Sequence, residues 1–336
     1  MIEAKKMKVI LIYRKQFLHT YSIEFIFDQL LASLKNLLSI EKTVLPYFSN
    51  SFFKRIINII FIFRLQQKIV HVTGDVHYAI LGAWFKWRVL TIHDLAFMHQ
   101  NIGAKRSILK WLYIILPVKF AHRVTVISEA TKTDLLNYTK VDPQKIVVIP
   151  NFISEMYKPV SDRRFNYIQP NILQIGTAFN KNIDRLAEAL FNITCTLIIV
   201  GKLNELQKSN LQKFKINYIN KIDLTEAELY QEYAKADLLT FVSTIEGFGM
   251  PILEAQACGL PVLTSNCSAM PEVAGNAALL VDPFQVASIQ SGILELINNA
   301  TLRNDLVKKG FENTKRFSKD KIVAQYISLY QHLESR

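Results

Sequence analysis

Apolar and polar positions along this chain follow two alternating rhythms. Short apolar runs at Lys8 to Tyr13, Thr43 to Tyr47, Ile69 to Thr73, Val89 to Ile92, Arg123 to Ile127 and Ile146 to Ile149 read as strands. Such unbroken runs suit a parallel sheet, whose strands are buried on both faces. Stretches with helical spacing separate them: Ser22 to Leu38 with Ser22 as N-cap, Phe52 to Arg64, roughly Lys105 to Phe120, and a helix opened by Ser128-Glu129. Periodicity fades over residues 155–170, where Pro159, Arg163, Arg164 and Pro170 suggest a linker. A second alternation follows, with strands at Asn171 to Ile175, Leu197 to Val200, Ile216 to Ile219, Asp237 to Val242, Pro261 to Ser265 and Ala278 to Val281. Its helices are predicted at Ile183 to Leu190, Glu205 to Phe214, from the capping box at Thr225 to Lys235, Ser288 to Asn298, Thr301 to Lys309 with Gly310 as a stop, and Ser318 to His332. Strands alternating with helix-length segments predict two doubly wound α/β domains with a cleft between them.

The densest local signal is the run from Asp237 to Ser265. A buried strand breaks into a turn containing Gly247 and Gly249, Pro251 suits the first turn of a helix, and Gly259 suits the residue past its end. The unpaired amides of such a helix start make a phosphate seat. Glu246 and Glu254 bracket that seat, and acids beside a phosphate site suit sugar hydroxyls instead. Phosphate plus sugar points to a nucleotide sugar. The loop Gly176-Thr-Ala-Phe-Asn-Lys-Asn182 also joins a strand to a helix, and Lys181 within it reads either as an exposed surface lysine or as a cation for a diphosphate. Paired with the glycine turn, the phosphate role is preferred. In the first half, Gly74-Asp75 and His93-Asp94 fall at the carboxyl ends of strands, where ligands of such sheets bind.

Composition narrows the field. At 336 residues and half apolar, the chain is long enough for two cores. The three cysteines, Cys195, Cys258 and Cys267, form no C-x-x-C pair, so metal and disulfide readings are weak and a reducing, cytoplasmic setting fits. No apolar window approaches the ~20 residues of a membrane span, and the start lacks a signal-peptide core. The net charge of +12 suits nucleic acid, anionic lipid or a phosphate-bearing substrate. Nucleic acid is disfavoured, because no basic run interleaves with aromatics. The basic, very apolar segment Phe52 to Arg64 is read as a core helix with charged ends; the alternative is a peripheral patch against anionic membrane. There is no G-x-G-x-x-G after the first strand, no P-loop, no H-E-x-x-H and no G-x-S-x-G, which removes simple dehydrogenases, P-loop enzymes, zincins and α/β-hydrolases.

Glu246-Gly-Phe-Gly-x-Pro-x-x-Glu254-Ala-x-Ala-x-Gly259-x-Pro-Val, followed by Pro271-Glu-Val-x-Gly and Asp282-Pro, strongly resembles glycosyltransferase family 4. The resemblance is dense from Ile172 to Pro283 and thinner through Thr91-Ile-His-Asp94, Val126-Ile-Ser128 and Ile149-Pro-Asn151. It implies a GT-B fold: an acceptor-side Rossmann-like domain at 1–160, a donor domain at 161–317, and a terminal helix, 318–336, crossing back. It also implies a retaining, metal-independent transfer of a hexose from a nucleotide diphosphate sugar to a glycan or lipid-linked acceptor, with no cofactor. By resemblance Glu254 binds the donor ribose and Glu246 the sugar hydroxyls. Gly176, Thr177, Gly247 and the turn amides at Phe248, Gly249 and Met250 line the donor. Lys181 neutralises the leaving group, and His93 reaches the sugar from the first domain. Two departures stand out: Thr177 replaces a frequent arginine, and a glycine pair that often follows the first strand is missing. A GT-B epimerase or phosphorylase, or a catalytically silent nucleotide-sugar-binding subunit, remain as alternatives.

Overall fold

The computed structural model describes residues 8–15, 22–95, 98, 103–161 and 163–335. The readings of the N-terminal residues before Lys8, of most of the stretch after the first strand and of Arg336 lie outside the described residues. Two compact units are present, Met1–Phe152 together with Lys319–Arg336, and Ile153–Ser318.

The first unit runs β1 (Lys8–Tyr13), α1 (Ser22–Leu34), β2 (Ser39–Val44), α2 (Phe52–Phe63), β3 (Ile69–Val72), β4 (Trp87–Ile92), α3 (Gly103–Lys110), α4 (Leu116–Phe120), β5 (Arg123–Val126), α5 (Glu129–Tyr138) and β6 (Ile146–Val148). The strands form one parallel sheet in the order β2-β1-β3-β4-β5-β6. Alternate residues feed opposite faces. Ile10, Ile12, Val70, Val72, Leu90 and Ile92 share one core, while Val9, Leu11, Tyr13, Ile69 and Val89 share another with Phe27 and Leu30 of α1. The terminal helix, Lys319–Glu334, completes that second core with Ile322, Tyr326, Leu329, Tyr330 and Leu333. A buried polar contact fixes it there. The His71 ring bridges the Tyr330 hydroxyl and Thr91 Oγ1, each at 2.7 Å. Burial pushes the His71 pKa down to about 3, so the imidazole is neutral, and the nearby His93 acts in the same direction.

The second unit runs β7 (Asn171–Ile175), α6 (Ile183–Ala189), β8 (Thr196–Val200), α7 (Glu205–Lys213), β9 (Tyr218–Lys221), α8 (Glu226–Lys235), β10 (Leu238–Phe241), α9 (Met250–Ala257), β11 (Val262–Ser265), α10 (Met270–Ala274), β12 (Leu279–Val281), α11 (Val286–Asn298) and α12 (Ala300–Thr314). Its parallel sheet has the order β12-β11-β10-β7-β8-β9. The chain reverses direction across the sheet between β7 and β10, and a doubly wound sheet offers its ligand crevice at such a switch point.

Several local expectations are corrected. The first helix stops at Leu34, because Leu38 must turn back into the core before β2 begins. β2 occupies Ser39–Val44 instead of Thr43 to Tyr47; it is an edge strand that buries only Ile40, so no apolar run announces it. The supposed linker is anchored. The Arg163 guanidinium donates to the carbonyls of Ala236, Tyr233 and Cys258, and the Asp237 carboxylate accepts from the amides of Asn166 and Asn171. The division between units accordingly falls at Phe152–Ile153, ahead of this stretch. Gly310 does not stop a helix. It lies inside α12, where a Cβ would stand 3.2 Å from Gln256 Cβ, so it marks a close helix crossing. The segment Phe52 to Arg64 is a helix, but not a core one: of its residues only Asn58 and Ile62 are buried. Among the described residues no helix is long and apolar enough to cross a membrane.

Candidate active site

The loops that follow β7 and β10 meet at the switch point of the second sheet. The first contains Gly176 at φ +87°, where a Cβ would lie 2.7 Å from Lys181 Cε. Only glycine leaves room for the Lys181 side chain to fold back over the loop. Its ammonium then sits 4.5 Å from the centre of the Phe241 ring and 2.6 Å from Glu246 Oε1. Asn180 ties the same loops together, donating from Nδ2 to the Ile245 carbonyl and to Glu246 Oε1. Ser268 grips the Glu246 backbone from the other side: its Oγ accepts from the amide and donates to the carbonyl. Glu246 is therefore held in one position by two loops.

The turn after Glu246 brings Gly249 to φ +113°, immediately before α9, with Pro251 in the first turn. The amides at this helix start have no intrahelical acceptors and carry partial positive charge. Phe248 is buried, its ring edge-to-face with Phe317 at 5.6 Å, which anchors the turn. Glu254 follows one turn into α9. The Tyr233 hydroxyl, from α8, donates to Glu254 Oε2 at 2.6 Å. Burial raises the Glu254 pKa to about 7; the Tyr233 bond and Lys181 oppose that shift, and Glu226 adds to it. Burial likewise pushes the Tyr233 hydroxyl well above its ordinary value, so it stays a donor. Thr177 turns aside, its hydroxyl donating to the Lys202 carbonyl at 2.8 Å.

The switch point thus brings together Gly176, Lys181, Glu246 and the Gly247–Met250 turn, with Glu254 one helical turn beyond. Tyr233, Asn180 and Ser268 were not singled out from the sequence. Tyr233 lies on a helix with ordinary amphipathic spacing and had no signal of its own, whereas Asn180 at least adjoins Lys181 in a marked loop. His93 belongs to the first unit, at the end of β4, and is nearly buried. Its Nε2 lies 2.8 Å from the Thr73 carbonyl, which can only accept, so Nε2 carries the proton and Nδ1 is left as the other ring position. The Phe27 ring packs edge-on against it at 5.9 Å.

Two Rossmann-like parallel sheets, one with a glycine-opened helix and a lysine–glutamate pair at its switch point, define the GT-B class of fold. A model described as glycosyl transferases group 1 matches residues 163–313, and one described as glycosyltransferase family 4 matches residues 36–155. The chain belongs to the group 1 glycosyltransferases of family 4 type. It is 28% identical over 244 residues to the O-antigen chain mannosyltransferase RfbU of Salmonella typhimurium, covering 68% of this chain and 67% of that one. It is 40% identical over 101 residues to O-antigen chain mannosyltransferase B of Escherichia coli, covering 30% of this chain and 26% of that one. The chain thus matches about two thirds of the first relative and about a quarter of the second. Among solved structures, a sucrose-phosphate synthase from Thermosynechococcus elongatus matches with a TM-score of 0.80 at 17% identity, over 98% of this chain and 100% of that one.

Proposed function

We propose that this protein is a retaining hexosyltransferase. It would move a hexose from a nucleotide diphosphate sugar to a hydroxyl on a glycan or lipid-linked acceptor, in the assembly of a cell-surface polysaccharide of O-antigen type. Family membership and the names of the two mannosyltransferase relatives support the polysaccharide setting. The observation that carries the chemistry is the 2.6 Å pair between Lys181 and Glu246, set against the glycine-opened start of α9.

In this reading the diphosphate rests on the amides of Phe248, Gly249 and Met250. Lys181 has three N–H donors, so it can keep its bond to Glu246 and still face a phosphate oxygen. Charge that develops on the leaving diphosphate is met by a cation already in place, and preorganised charge of this kind usually contributes most to lowering such a barrier. Glu246 accepts from sugar hydroxyls, Glu254 from the ribose, and His93, its Nε2 held by the Thr73 carbonyl, offers Nδ1 to a sugar hydroxyl. Lys181 and the helix start supply the positive charge without a metal ion or cofactor. Retention follows from attack on the face the diphosphate leaves, and no covalent nucleophile is assigned.

A thermal-shift screen of nucleoside diphosphates and their sugars tests the donor, since a bound donor stabilises the fold by mass action. Transfer with the best donor should then give a product of unchanged anomeric configuration by NMR, insensitive to chelator. Glu254→Ala should weaken nucleotide binding, whereas Glu246→Ala and His93→Ala should lower turnover with nucleotide affinity nearly intact. No stabilising nucleotide would refute the reading. A new sugar isomer from donor alone would favour an epimerase, phosphate dependence a phosphorylase, and binding without turnover on any acceptor a silent subunit.

A further inference from the structure

The face of α2 opposite its buried side is apolar. Phe52, Phe53, Ile56, Ile57, Ile60 and Phe63 are all exposed, and their helical spacing puts them on one side, while the buried Asn58 and Ile62 occupy the other. Phe53 is 77% exposed and Phe85, on the loop before β4, is 88% exposed. That loop extends the same surface. The Phe85 ring meets the Phe63 ring at 6.3 Å, the Lys86 ammonium donates to the Phe63 carbonyl at 3.3 Å, and Trp84 is exposed beside it. A contiguous apolar patch of this kind on a water-facing surface marks a binding site.

Charge decides what covers it. Between Ser51 and Ile92 the chain has six lysines and arginines and a single acid, Asp75, which is engaged by Arg14 at 2.6 Å. Lys54 lies near the start of α2 and Arg64 just past its end, so cations flank the apolar stripe at both ends. A second copy of this chain would set those cations against their own kind. An anionic lipid surface complements both the charge and the apolar face. The helix is 12 residues long, about 18 Å, which is too short to span a bilayer and suited to lying in its interface.

We propose that the outer face of α2, together with the Trp84–Phe85 loop, is a docking surface for an anionic phospholipid membrane, with the aromatic and isoleucine side chains entering the headgroup–acyl boundary and Lys54 and Arg64 meeting lipid phosphates. This deepens the proposed function by naming the surface through which a lipid-linked acceptor would be reached. Its test uses neither donor nor acceptor, so the two readings fail separately.

The purified protein is sedimented with sucrose-loaded vesicles of phosphatidylcholine alone and of phosphatidylcholine mixed with phosphatidylglycerol. Wild-type protein should partition onto the mixed vesicles and be released by salt. Lys54→Gln/Arg64→Gln should lower that partitioning about fivefold per cation removed. Phe53→Ser/Phe85→Ser, changes at exposed positions, should lower it at least about tenfold while leaving the melting temperature in place. Equal partitioning onto both vesicle types, or unchanged partitioning of both variants, would overturn the proposal. So would a wild-type dimer in sedimentation velocity that Phe53→Ser/Phe85→Ser dissociates, because a second copy would then cover the face.

Discussion

Glu254 occupies a position where one proton changes what the residue can do. Its carboxyl has a pKa raised to about 7, chiefly by burial, and only the ionised form accepts hydrogen bonds with both oxygens while Tyr233 occupies one. Nucleoside diphosphate affinity should therefore rise with pH between about 6 and 8 and flatten above. Calorimetry across that range checks it, and Glu254→Gln should abolish the dependence. The sign for stability is opposite. A carboxyl raised above its ordinary value favours folding in its protonated form, so its contribution is full below the unfolded-state pKa and is lost as pH rises through about 7. Gly176 offers a second test at this scale. Alanine there meets both a left-handed backbone and Lys181 Cε at 2.7 Å, so Lys181 must move. Turnover of Gly176→Ala should fall about tenfold to a hundredfold, as for other small misplacements of a reacting group, with the protein still folded by circular dichroism. These local residues were legible beforehand, because glycine, proline and acid spacing within one turn reflects local geometry. Tyr233 was not, since its partner lies on another helix.

At the scale of elements, α2 illustrates what periodicity conveys and what it omits. A run with apolar residues on every side predicts a helix, but buried and interfacial helices share that pattern. Only the packing shows that Asn58 faces inward, donating to the Tyr47 carbonyl and accepting from the Tyr47 amide, and that Phe61 packs on the core while Phe52, Phe53 and Phe63 face out. The contact that seats α2 is a close approach by Gly82, where a Cβ would lie 2.2 Å from the Ile59 carbonyl oxygen and 2.9 Å from Ile62 Cβ. Gly82→Ala should cost about 2 kcal/mol or more, since overpacking against backbone cannot be relieved by a rotamer change. A lowered urea midpoint with an unchanged m-value would bear this out; a stability equal to wild type would show that the segment around Gly82 shifts freely.

For the whole molecule, chain order and spatial order part company at the terminal helix. Lys319–Glu334 follows the second unit in sequence yet fills one face of the first unit's sheet through Tyr326, Leu329, Tyr330 and Leu333. Deleting the chain after Ser318 should strip that face and leave His71 without its Tyr330 partner. Hydrogen exchange should then lose protection over β1, β3 and β4 while the β7–β12 sheet keeps its own, and uniform loss in both sheets would contradict this division. By itself the sequence determined the parts that depend on neighbours along the chain: the strand–helix alternation, the glycine-opened helix start, and Lys181, Glu246 and Glu254 as the candidate residues around it. Tertiary structure alone decided which strands stand beside one another, and so that β7 and β10 bring Lys181 onto Glu246, that Tyr233 reaches Glu254, and that the apolar side of α2 faces outward. Each of those facts depends on a contact between segments far apart in the chain, and spacing along the chain does not encode direction in space.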